Sequence, residues 1–145
     1  MRTVKLTNEL IPGFREYYLQ YAKEHDESFP PPENYTVRSD EPVYLLLNEQ
    51  GEIKGAAALM MHKQYAGIQK ARFRIFHCIT PDTNHYQMLL DEILKHTEGF
   101  QTIYCYIPDN QVKTSEAWEK LGFTIWRYSW ILKRATDECM AVTFP

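Results

Sequence analysis

Five histidines and three cysteines are spread through this 145-residue chain, together with 19 acidic side chains. His77 lies inside the run from Ala71 to Thr80, which reads as a strand. A histidine changes charge near neutral pH, so His77 is the candidate for acid–base work. The competing reading is a histidine that fills an apolar face with one hydrogen bond. His62, at the end of the preceding strand, is a weaker candidate of the same kind. Glu24, Asp26 and Glu27 follow the first helix and either line an acceptor site or form a solvated loop. Thr83, Asn84 and His85 open a later helix, whose exposed N–H groups and dipole can hold an anion or can simply be capped. Cys78, Cys105 and Cys139 make no Cys-x-x-Cys pair, so no metal is expected. Cys78 and Cys105 fall in strands and read as small buried hydrophobes rather than nucleophiles.

The elements that must position these residues follow from the apolar spacing. One domain with one core fits the length. Arg2 to Leu6 reads as a first strand. Phe14, Tyr17, Tyr18, Tyr21 and Ala22 recur at helical spacing, giving a helix from about Pro12 to Glu24. The Pro30-Pro31-Pro32 run then forces an extended segment to about Asp40. Val43 to Asn48 and Ile53 to His62 are strands joined at Asn48–Glu52, with Gly51 free to take positive φ. Gly55 marks a close approach or a bulge. In Ala71 to Thr80, strict alternation puts Phe73, Ile75, His77 and Ile79 on one face. Arg72, Arg74, Phe76 and Cys78 fall on the other. The two arginines read there as part of a solvated strand face. Tyr86, Leu89, Leu90, Ile93 and Leu94 form a helical stripe, and Asn84 with Gln87 has the form of a capping box. Ile103 to Ile107 is a strand, and Ser115 to Leu121 a helix closed by Gly122 in the C′ position, with Phe123 packed back on its last turn. Thr124 to Lys133 alternates Trp126, Tyr128, Trp130 and Leu132 on one face, which reads as core. The domain is expected to span residues 1–134. Residues 135–145 form a tail, in which Met140 to Phe144 could add an edge strand, within the chain or to a second copy in a homodimer.

Glu119-Lys120-Leu121-Gly122-Phe123, together with this order of elements, resembles the end of the GNAT fold, the Gcn5-related N-acetyltransferase superfamily. Ile79-Thr80-Pro81-Asp82 resembles the family's exit from its fourth strand, and Leu89 to Leu94 its central helix. The likeness covers about nine tenths of the chain. It implies an α+β (α/β) fold: a mixed, mostly antiparallel sheet of six or seven strands with helices on both faces, splayed between strands four and five. It also implies acetyl-CoA, or another acyl-CoA, as co-substrate. By this resemblance the fourth-strand backbone at Cys78, Ile79 and Thr80 would pair with the pantetheine arm. Thr83, Asn84 and His85 would face the pyrophosphate, and Gln111 holds the place of the family's asparagine before the last helix. His77, beside the pantetheine position, would be the base.

The sequence also departs from the family. No glycine occurs between Gly67 and Gly99, the loop after Pro81 is short, and Asp82 brings a negative charge to it. Trp118 stands where many members carry a tyrosine that protonates the leaving thiolate. An indole N–H does not titrate usefully. Two functions follow: an N-acyltransferase acting on a primary amine of a small molecule or peptide, or a binding or regulatory domain whose cofactor gap is filled by Trp118 or Tyr86. A net charge of −3 gives no basic patch for nucleic acid. No apolar run is long enough for a membrane span. The odd cysteine count and the lack of a leader lead to the expectation of a reducing cytoplasm.

Overall fold

Asn48 to Glu52 turns the chain back on itself, and the side chain of Asn48 organises the turn. Its Oδ1 accepts from the N–H groups of Gln50 and Glu52, and Gly51 has φ 78°. The strands on either side are β2 (Val43–Leu47) and β3 (Ile53–Met60). In the computed structural model, residues 1–61, 70–132 and 136–144 are described, with side chains as far as residue 125. The other strands are β1 (Arg2–Lys5), β4 (Lys70–Cys78), β5 (Thr102–Pro108), β6 (Thr124–Leu132) and β7 (Thr136–Phe144). They form one sheet in the order β1-β2-β3-β4-β5-β7-β6. Neighbours run antiparallel except β4 and β5, which are parallel.

Two apolar layers cover the sheet. Helix α1 (Ile11–Gln20) buries Phe14, Tyr17 and Tyr18 on one face, with Leu45, Ala56, Ala58 and Ile75 beneath. A single 3-10 turn, Ala22–Glu24, continues it. Helices α2 (Thr83–Leu94) and α3 (Val112–Lys120) cover the other face. Tyr86, Leu89, Leu90 and Ile93 of the α2 stripe are buried, while Leu94 is exposed. Gly55 marks both a close approach and a bulge. A Cβ there would meet Cys78 Sγ at 3.0 Å and the His77 carbonyl oxygen at 3.1 Å. The β2–β3 pairing slips between Leu46 and Leu47, beside it.

Helix α3 ends as its sequence requires. The Phe123 N–H donates to the Trp118 carbonyl and the Gly122 N–H to that of Glu119. Gly122 has φ 101°. Phe123 lies against Trp118 with ring centroids 5.9 Å apart. This is a Schellman stop with its apolar contact. Replacing Gly122 with Ala forces a Cβ into the left-handed region, and about 1–2 kcal/mol of stability should be lost. A chemical-denaturation midpoint that does not move would contradict this reading.

Two readings of the sequence are corrected. First, β4 carries a β-bulge: Ala58 pairs with Ile75 but Leu59 pairs with Phe73, so Arg74 is the extra residue. The bulge resets the alternation. Ala71, Phe73, Phe76 and Cys78 belong to the α2–α3 core, whereas Ile75 belongs to the α1 core. Arg72 and Arg74 reach acids in the segment after α1, on that same side, rather than sharing the face of Phe76 and Cys78. Second, residues 136–144 are not an edge strand. β7 pairs with β5 on one side and β6 on the other, which makes β6 the edge. The sheet thus runs beyond residue 134. The aromatic side chains of β6 expected to be core lie outside the described side chains.

Candidate functional site

β4 and β5 run side by side for only three residue pairs, Lys70–Arg72 against Thr102–Tyr104. Beyond Arg72 they part, and a cleft of about 380 Å³ opens at their C-terminal ends. Cys78 and Ile79 at the end of β4 form one wall. Gln111, Lys113 and Thr114 at the start of α3 form the other, and Glu24 reaches in from the turn after α1. Bulky side chains keep the strands apart deeper in the wedge. Trp118 stacks on Phe76 at 5.3 Å and meets Tyr86 edge-on at 6.0 Å.

The backbone of β4 faces this gap with alternate N–H groups. Ile79 N–H donates the other way, to the Lys54 carbonyl of β3, so the N–H of Cys78 points toward the gap. The hydroxyl of Tyr86 accepts that bond at 3.0 Å, and Thr114 hydrogen-bonds the same hydroxyl. Any ligand that pairs with β4 at Cys78 must therefore displace Tyr86. Burial pushes both the Tyr86 hydroxyl and the Cys78 thiol far up from their ordinary values. Neither ionises at neutral pH. The indole N–H of Trp118 is buried without a partner.

His77 is 1% exposed. Its Nε2 lies 2.9 Å from Oε1 of Glu24, and its Nδ1 lies 2.6 Å from the Tyr17 hydroxyl. A carboxylate can only accept, so Nε2 carries the proton and donates to Glu24. Nδ1 then accepts from the Tyr17 O–H. The line Tyr17–His77–Glu24 ends at a carboxylate whose side chain is 42% exposed, on the cleft wall. His77 does not line the cleft; Glu24 is the member that can touch a ligand. Burial drives the His77 pKa down to about 4, against the opposing pull of its bond to Glu24. His25, buried with its ring nitrogens beside the carbonyls of Asp26 and Tyr18, is also shifted down by burial.

A pH dependence follows from the depressed His77 value. Between about pH 6.5 and 4 the unfolded chain takes a proton that folded His77 does not. Stability is therefore full above pH 6.5 and falls with acid through this window, by up to about 1.4 kcal/mol per pH unit. Denaturant midpoints at pH 7, 5.5 and 4.5 should trace the slope, and His77→Gln should reduce it to the part that buried His25 contributes. A slope unchanged in that variant would show that other groups carry it.

Two of the expected backbone donors at the start of α2, those of Asn84 and His85, are already engaged, while the buried Nδ1 of His85 has no hydrogen-bond partner. Asp82 is the N-cap, and its Oδ1 accepts from the N–H of Asn84 at 2.7 Å and of His85 at 3.2 Å. The expected Asn84–Gln87 box is thus replaced by a cap two residues earlier, and Gln87 bonds Asp91 instead. Of the residues that the family resemblance assigned to a cofactor, Cys78, Ile79 and Gln111 line the cleft. Thr80, Thr83, Asn84 and His85 do not.

The segment after α1 is not a solvated loop. Asp26 is buried and its carboxylate pairs with Arg72 at 2.7 Å. The Arg72 guanidinium lies between the rings of Phe29 (4.7 Å) and Tyr106 (4.5 Å). Arg74 makes two bonds to Glu41, at 2.8 and 3.0 Å, and a third to the Phe29 carbonyl. Tyr35 also donates to Glu41. The residues missed as a group are Tyr17 and Glu24. Their separation of seven places both on one face of a helix, and this was the available signal. His62 lies outside the described residues. Among the described residues no group of three or more His, Cys, Asp or Glu side chains is placed to hold a metal. No described helix is long and apolar enough to cross a membrane.

No family model matches the chain, and no curated protein matches it by sequence. Solved structures do match. A probable acetyltransferase from Staphylococcus epidermidis aligns over 99% of this chain and 97% of its own, with TM-score 0.73 and 12% identity. A ribosomal-protein-alanine N-acetyltransferase from Brucella melitensis aligns over 99% and 98%, with TM-score 0.71 and 12% identity. A GCN5-related N-acetyltransferase from Kribbella flavida aligns over 99% and 96%, with TM-score 0.70 and 14% identity. The chain has the fold of these acetyltransferases.

Proposed function

We propose that the protein is an N-acyltransferase that moves an acyl group from a thioester to a primary amine. The observation that carries this reading is the cleft at the parted strands with the Glu24 carboxylate on its wall. The amine attacks in its neutral form, and Glu24 takes the proton that the nitrogen sheds as the C–N bond forms. The nitrogen lone pair attacks the thioester carbonyl, the C–N bond forms and the C–S bond breaks. The electron pair leaves on the thiolate, which takes a proton from water. His77 and Tyr17 hold Glu24 in place by the hydrogen bonds described above. The acceptor is a small-molecule or peptide amine. The Brucella melitensis protein, a ribosomal-protein-alanine N-acetyltransferase, favours a peptide amine. Thiol release from acetyl thioesters should rise above hydrolysis when a panel of primary amines and N-terminal peptides is added. No rise with any member would reject the reading.

One observation favours a second reading, a domain of this fold that binds without catalysing. The Tyr86 hydroxyl already occupies the Cys78 N–H on the gap side of β4. In that case thioesters leave the melting temperature unchanged in the wild type. In the transferase, a ligand at 100 times its Kd adds about 2.7 kcal/mol.

A further inference from the structure

We infer that the acyl donor is recognised through its pantetheine arm alone, and that a nucleotide diphosphate attached to that arm contributes almost nothing to recognition. The inference rests on the thioester reading above and concerns which part of the donor the protein holds.

A diphosphate is bound by free backbone N–H groups, by unpaired cations, or by glycines that let the chain come close. Among the described residues, the start of α2 and the arginines of β4 offer little of each. At the start of α2, the N–H groups of Asn84 and His85 are spent on the Asp82 carboxylate. The Tyr86 N–H goes to the Asp82 carbonyl. An approaching phosphate would meet the carboxylate charge of Asp82 in place of the helix's positive end. Every residue from Ile68 to Glu98 carries a Cβ, so the backbone there cannot fold around a phosphate as a glycine loop does. The arginines of β4 are committed elsewhere, Arg72 to Asp26 and Arg74 to Glu41. Among the residues lining the cleft, the cation Lys113 is offset by the anion Glu24.

What remains suits an uncharged arm. The start of α3 has no side-chain cap, and its first turn forms one wall. Its N–H groups can meet the amide carbonyls of pantetheine, while Gln111 and Thr114 add polar contacts. The volume, about 380 Å³, lies near the lower end of the roughly 300–1,000 Å³ typical of small-molecule sites. It matches an arm with a short acyl group.

The test compares acetyl-CoA with S-acetylpantetheine, using one amine acceptor at fixed concentration. The two kcat/KM values should agree within about tenfold. A preference for acetyl-CoA greater than that overturns the inference while leaving the transferase reading intact. If neither thioester is turned over, the transferase reading fails, and calorimetric titration with CoA and pantetheine themselves decides recognition separately. Dissociation constants within about tenfold uphold it. CoA binding more than tenfold tighter, or no binding of either, overturns it.

Discussion

Glu24→Gln should lower kcat for amine acylation by about 10²-fold or more, with little change in KM for the thioester. The substitution keeps an oxygen that can accept from His77 Nε2, so the hydrogen-bonded line to Tyr17 survives. What is lost is the ability to accept a proton at the cleft wall. His77 cannot replace it, because it is buried and does not line the cleft. His77→Gln should act more gently and differently, by loosening the position of Glu24. It should shift the pH profile and lower kcat less than the glutamate substitution does. A Glu24→Gln enzyme with kcat within about threefold of wild type would remove Glu24 as the proton acceptor.

Glu41→Ala should be strongly destabilising, costing about 3–5 kcal/mol. The side chains of Glu41 and Arg74 are 1% and 11% exposed. Removing the carboxylate leaves a guanidinium without its partner and takes the acceptor from the Tyr35 hydroxyl. Total stability of an ordinary domain is about 5–15 kcal/mol, so this is a large share. The change should also reach the cleft, because Arg74 and Arg72 tie the segment that follows Glu24 onto β4. Denaturant unfolding measures the effect. A loss below about 1 kcal/mol would mean that the pair behaves as a surface ion pair.

Local signals were legible where one short stretch decides the outcome. Gly122 and Phe123 close α3 by contacts within six residues. Gly51 and Asn48 make their turn alone. The α2 stripe identifies a buried face, and the family resemblance implied the divergence of β4 from β5. Features set by distant partners were not legible. His77 meets Glu24 across 53 positions and Tyr17 across 60. Arg74 meets Glu41 across 33. Read as a strict alternation, Arg72 and Arg74 share a side with Phe76. One inserted residue reverses that, and no propensity marks it. Asp82 reads as an unwelcome charge at a phosphate site, and its use as the α2 cap appears only once the helix start is known.

The placement of β7 between β5 and β6 has a consequence for how the chain is made. β6 leaves the ribosome before the strand that joins it to the rest of the sheet. Until residues 136–144 emerge, β5 offers a bare row of N–H and C=O groups and β6 has nothing to pair with. During that interval the nascent chain is open to strand addition from a neighbour. A ribosome stalled just short of those residues should therefore display a sticky, protease-sensitive intermediate that vanishes when synthesis resumes.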